Sequence, residues 1–132
     1  MAGIVGIGAC VADTLYTLPN YPQEDTKLRA TDSRRAGGGP VATGLVAASK
    51  LGAKTTYLGV LSDDDAGRFL KADFEKYGVS TDLITLESCG RSFTSVIWLS
   101  EESASRTCVF ERGTLPPLTY LLLYYHMFPY TF

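Results

Sequence analysis

The sequence is poor in the residues that most often carry chemistry. Its single histidine, His126, has no acidic neighbour in sequence, which makes a Ser-His-Asp triad a weak reading. Its three cysteines, Cys10, Cys89 and Cys108, are odd in number and widely spaced. They form neither a zinc pattern nor a disulfide framework, and they predict reduced thiols in a cytoplasmic setting. Charge of one sign is scarce as well. Twelve Lys and Arg against fourteen Asp and Glu leave a formal net charge of −2, with Arg34-Arg35 the one local basic pair. That balance argues against a nucleic-acid partner. Residues 118–132 are apolar but too short, and too interrupted by Pro129, for a membrane span of about 20 residues. Met1-Ala2-Gly3 lacks the basic segment of a secretory leader.

Several ligand motifs are incomplete. Gly6-Ile7-Gly8 follows a short apolar run, yet Val11 stands where a dinucleotide fingerprint needs its third glycine. No Gly-Lys-Ser/Thr follows the later glycine run, so a P-loop is absent. Asp63-Asp64-Asp65 with Gly67 lacks the alternating acids and closing glutamate of a calcium loop. An acidic cluster at a helix N-terminus, facing the macrodipole, is the better reading.

What the chain does have is a stretch of bare backbone. Ala36-Gly37-Gly38-Gly39-Pro40-Val41-Ala42-Thr43 opens an Ala-rich segment ending at Lys50-Leu51-Gly52. Glycine allows close approach and positive φ, and Pro40 suits the first turn of a helix. The helix N-terminus behind it presents unpaired N–H donors and partial positive charge. Two readings of the run alone stay open: a cradle for a polar ligand, or a tight strand-to-helix turn without one.

At 132 residues the chain is about one domain's worth, by a prior of roughly 150 residues per domain. Ile4 to Cys10 reads as a buried strand, residues 40–51 as a helix and Thr55 to Leu61 as a second buried strand. Ala66 to Tyr77 follows as a helix closed by Gly78, with Phe69, Leu70, Phe74 and Tyr77 on one face. The β–α–β–α order predicts an α/β fold with a parallel sheet. Residues 14–36, with Pro19, Asn20 and Pro22, read as a hairpin-like excursion whose strand is Lys27-Leu28-Arg29-Ala30-Thr31. Beyond Gly78, Leu83-Ile84-Thr85-Leu86 is β-rich, and Ser92–Leu99 with Arg106–Arg112 reads as a hairpin. Together with the strand near Lys27, that hairpin makes a small separate sheet, which must cover a ligand or pair with another copy.

The last segment differs in kind. From Gly113 to Phe132 there is no Asp, Glu, Lys or Arg, and six of the chain's fifteen aromatic residues fall there. Residues 113–132 read as an altered or truncated end, or as a C-terminal helix docked on the sheet.

These pieces in this order resemble the N-terminal part of the ribokinase-like, or PfkB, family of carbohydrate kinases. The likeness covers about residues 3–112: a first strand with Asp13 beyond it, the glycine run, Leu51-Gly52-Ala53, the second strand, Ser62-Asp63-Asp64-Asp65-Ala66-Gly67 and Tyr77-Gly78-Val79. The resemblance implies a partial three-layer α/β sandwich with a small β lid, its segments at about 14–36 and 88–112, and lids that clasp two subunits into a dimer. Thr43 stands where the family's first signature usually has Asn, and Ser62 where it usually has Gly. The Gly-Gly-Gly-Pro-x-Ala-Thr variant is similar to that of a fructokinase and sulfofructose kinase-like subgroup. The family's second signature, Asp-Thr-x-Gly-Ala-Gly-Asp, which carries its catalytic base and anion hole, is absent from these residues.

By that resemblance, Asp13 accepts hydrogen bonds from two sugar hydroxyls, a role suited to an acceptor-only carboxylate. Asp13 could instead simply cap a turn. Gly38 and Gly39 offer backbone N–H groups and clearance for a polyol, and Thr43 offers a hydroxyl or else a local backbone bond. Lys27 and, more weakly, Arg112 are candidates for an anionic substituent, though Lys27 reads equally as a solvated surface lysine. ATP and Mg²⁺ are expected of the intact family member, with neither held tightly by this chain alone. Two function classes follow: the sugar-binding half of a carbohydrate kinase that lacks the base and ATP groove, or a non-catalytic sugar-binding or dimerising remnant. A parallel sheet with one side partly uncovered also predicts self-association.

Overall fold

A computed structural model of the chain describes residues 3–116 and 118. The strands and helices run in the order β1 (Ile4–Ile7), β2 (Val11–Leu18), β3 (Asp32–Gly38), α1 (Pro40–Lys50), β4 (Thr55–Ser62), α2 (Asp65–Lys76), β5 (Val79–Glu87), β6 (Thr94–Ser100) and β7 (Ser105–Glu111). They build two sheets. One is parallel, in the order β1-β4-β5; the other has the order β3-β2-β6-β7. In the second sheet β2 and β6 run parallel, while β3 and β7 pair antiparallel at its two edges. This is the expected α/β class with a separate small sheet.

Local chemistry accounts for the helices. Pro40 opens α1, and Gly39 precedes it at φ 92°, ψ 146°. In α2 the Asp64 side chain accepts a hydrogen bond from the Gly67 N–H at 2.7 Å, Asp65 lies in the first turn and Lys76 in the last. Each charge sits at the end of the macrodipole that favours it. Gly78, at φ 75°, takes the C′ position. Leu70 and Phe74 point inward from α2, and the Phe74 ring stacks on Tyr57 of β4 at 4.8 Å between centroids. Cys10, Ala42, Leu45 and Leu61 join them in one apolar core under the parallel sheet.

The excursion after β2 is built differently from the expectation. Residues 27–31 form no strand; the strand lies further on, at Asp32–Gly38, and pairs with β2 from Thr17↔Asp32 to Val11↔Gly38. Asp32-Ser33-Arg34-Arg35 is a polar run with little intrinsic strand character, yet it is the solvent-facing edge of the sheet, where charge blocks stray pairing. Asp13 does lie beyond the first strand, but within a second strand and not in a loop. Gly8, at φ 151°, ends β1 early, and Asp13 lies inside β2. Leu83–Leu86 belongs to β5, which begins at Val79 and pairs with β4 in the parallel sheet. The expectations for residues 113–132, His126 included, fall largely outside the described residues. Among those described, no helix is long and apolar enough to cross a membrane.

Candidate functional site

Three adjacent strands meet at one carboxylate. Asp13 stands opposite Ser95 on β6 and Ala36 on β3, so its neighbours on the same face come from both flanking strands. The Ser95 hydroxyl donates to Asp13 Oδ1 at 2.5 Å. On the other side, a Cβ placed on Gly38 would overlap Asp13 Oδ2. Gly38 is therefore required to be bare so that the carboxylate can lie over it. Gly39 follows with positive φ, and a Cβ there would stand 2.5 Å from the Ala9 carbonyl oxygen. The chain leaves this tight crossing directly into α1, whose first hydrogen bond runs from the Thr43 N–H to the Gly39 carbonyl at 3.0 Å. Thr43 is exposed on that first turn. Asp13, Gly38, Gly39 and the start of α1 are thus brought together.

Lys27 is not. Asp13 and Tyr16 are three residues apart on one strand and so point to opposite faces. Lys27 lines a cavity of about 720 Å³ with Tyr16, Leu18 and Trp98, on the face turned away from Asp13. Arg112, just after β7 and exposed, stands elsewhere: with Gly8, Ala9, Cys10 and Phe93 it lines a second cavity of about 270 Å³ beside the ends of β1 and β4. Openings at the carboxyl ends of parallel strands are where α/β sheets hold ligands.

Contacts between the two layers fix the small sheet above this junction. Arg35 of β3 pairs with Asp65 of α2 at 2.7 Å, and its guanidinium lies 4.4 Å from the Phe69 ring centroid. Arg91 and Glu111 close the base of the β6–β7 hairpin at 2.6 Å. Beneath the site, burial, and then the Asp73 and Asp13 carboxylates, push the Cys10 thiol up to about 12. Cys10 is therefore a neutral packing residue, not a nucleophile. Burial, followed by Cys10, also raises the Tyr57 phenol, whose hydroxyl donates to the Gly8 carbonyl at 2.8 Å.

Ser95 was missed by reading residues in sequence, although a signal exists. Within the Phe93–Leu99 run it shares a face with Ile97 and Leu99, so a serine there is a buried polar group in need of a partner. Among the described residues, no three His, Cys, Asp or Glu side chains converge as ligands for a cation.

Residues 1–120 match the family model for pfkB family carbohydrate kinases. The chain belongs to that family. Among curated pfkB-type relatives, it is 30% identical to a ketohexokinase of Mus musculus over 116 residues, covering 88% of this chain and 39% of the relative. It is 29% identical to a ribokinase of Haemophilus influenzae over 100 residues, 74% of this chain and 33% of the other. Among solved structures, a ribokinase from Giardia lamblia superposes with a TM-score of 0.82 at 20% identity, covering 96% of this chain and 41% of that one. A fructokinase from Xylella fastidiosa with bound ATP gives 0.65 at 26% identity, covering 83% and 33%. The resemblance to the PfkB family is borne out, as is the ribokinase-like fold. The chain spans about two fifths or less of the length of these relatives.

Proposed function

We propose that this chain supplies the sugar-binding half of a carbohydrate kinase site. The observation that carries the reading is the Asp13 carboxylate laid over the bare backbone of Gly38-Gly39, at the mouth of α1 and within the small sheet. A carboxylate accepts hydroxyl hydrogen bonds and offers none, and charge-assisted bonds of that kind are the strong ones. The glycines leave room for a polyol to meet backbone N–H groups, and Thr43 adds a hydroxyl from the first helical turn. Of the two cations, Arg112 takes the anionic substituent, because it lines the cavity beside Gly8 and Ala9; Lys27 faces away.

The ketohexokinase, ribokinase and fructokinase names among the relatives support a sugar as the substrate class. ATP as phosphoryl donor is supported by the ATP complex of the Xylella fructokinase. The Asp-Thr-x-Gly-Ala-Gly-Asp signature is not among this chain's residues, and no transfer step through ATP or Mg²⁺ is assigned to them. Their part is to bind and orient the acceptor, the positioning on which phosphoryl transfer depends. A cytoplasmic location is part of the same proposal, and the three free cysteines support it.

A coupled assay of ATP consumption with added sugar tests the division of labour. The expected result is sugar binding that is lost in Asp13→Ala and no turnover by the chain alone. Sugar-dependent phosphoryl transfer by the purified chain would refute the half-site reading.

A further inference from the structure

The carboxylate at the centre of the proposed site has a dedicated orienting group. We infer that Ser95 is a positioning residue that commits Oδ1 of Asp13 to the protein and leaves Oδ2 as the oxygen offered to ligand; this rests on the sugar-site reading of Asp13. An aspartate carboxyl rotates freely about its terminal torsion unless something holds it. Here β6 supplies the hold. Ser95 is 5% exposed, stands directly opposite Asp13 in the parallel ladder, and its hydroxyl donates to Oδ1 at 2.5 Å. The third strand supplies the opening, because Gly38 has no Cβ where Oδ2 lies. Serine on one side and glycine on the other fix the carboxylate plane from both flanks.

The consequence is chemical. A free carboxylate can grip a vicinal diol with both oxygens, whereas one with Oδ1 already bonded presents chiefly a single oxygen above the Gly38-Gly39 turn. Ser95 thus changes the expected contact from two-oxygen acceptance to single-oxygen acceptance of a polyol hydroxyl. The buried serine hydroxyl gains as well, since Asp13 is the partner that saves it from being unsatisfied.

The test compares the full chain with Ser95→Ala, Ser95→Thr and Asp13→Ala, by calorimetric titration with D-fructose and with D-ribose. Ser95→Ala should weaken the tighter sugar by about tenfold, the scale of one charge-assisted bond. Ser95→Thr keeps the hydroxyl and should restore affinity to within about threefold. Unchanged affinity in Ser95→Ala, with binding lost in Asp13→Ala, would overturn the positioning role while leaving the sugar-site reading intact. If neither sugar binds the unaltered chain, the sugar-site reading fails. The Ser95 contact is then judged without ligand, from the ¹³Cγ resonance of Asp13, which must move in Ser95→Ala and return in Ser95→Thr. A resonance indifferent to Ser95→Ala would overturn the inference on its own.

Discussion

Asp64 Oδ2 accepts a hydrogen bond from the Ser92 backbone N–H at 2.8 Å, joining the start of α2 to the segment that enters β6. Its other oxygen caps α2 through the Gly67 N–H. Ser92 returns the connection, its hydroxyl accepting from the Ser62 N–H at 3.0 Å at the end of β4. One carboxylate therefore ties the parallel sheet, a helix and the small sheet together.

Replacing that carboxylate should be felt in stability. Asp64→Ala removes an N-cap and strands the Ser92 N–H, and the expected loss is about 1–2 kcal/mol in urea unfolding at neutral pH. Burial alone would raise the Asp64 carboxyl, but the hydrogen bonds from Ser92 and Gly67 outweigh it and bring it below its ordinary 3.8. A carboxylate with a depressed value in the folded state stabilises above its unfolded value and loses that contribution as pH falls through the folded one. The gap between the parent chain and Asp64→Ala should therefore narrow in strong acid. A gap independent of pH would show that the charge plays no part.

The glycine crossing makes a separate prediction. Gly39 has φ 92° and has the Ala9 carbonyl oxygen where a Cβ would go. Gly39→Ala should cost about 1–3 kcal/mol of stability from backbone strain and crowding. Gly38→Ala drives a methyl into Asp13 Oδ2, so it should also abolish sugar binding. Calorimetric titration on the folded fraction separates the two effects; full affinity in Gly38→Ala would sink the packing argument.

The thiols should report burial directly. Cys10 is buried with its thiol pushed up to about 12, while Cys89 and Cys108 are exposed. Under native conditions a thiol reagent should modify Cys89 and Cys108 quickly and Cys10 only after unfolding. Because folding raises the Cys10 value from 9.0, its neutral thiol favours the native state below that point. That advantage disappears as pH climbs toward 12. Rapid native labelling of all three would place Cys10 at the surface.

Much of this was legible from local chemistry. The two helices announced themselves through Pro40, the Asp64 cap, the Leu70 and Phe74 face and Gly78, all of them signals within a few residues of each other. The edge strand β3 was not legible, because a strand with one face and one edge in solvent is under little pressure to look apolar. Residues 27–31 show the converse: alternating residues without a partner strand form no ladder. The Asp13–Ser95 contact spans 82 residues and depends on β2 and β6 pairing in parallel, a register that only the folded sheet sets. Asp13 and the glycine run could be singled out separately, whereas the bond that orients the acid could not.

The parallel sheet carries the last prediction. Its order β1-β4-β5 leaves one edge of β1 without a neighbouring strand among the described residues. Ile4, Val5 and Ile7 on that strand are 47%, 54% and 49% exposed. An apolar strand with an open edge is a template for pairing with another chain. Two copies are accordingly expected to associate, giving a light-scattering mass above the 14.3 kDa of one chain, rising with concentration. Val5→Lys combined with Ile7→Lys puts two charges on the edge strand and should drive the mass back toward a single chain, while leaving the far-ultraviolet spectrum in place. If the parent chain stays at 14.3 kDa across the concentration range, β1 is not the joining surface. A mass that the double substitution fails to lower moves the contact elsewhere, with β7 next in line, where Val109 and Phe110 are 61% and 60% exposed.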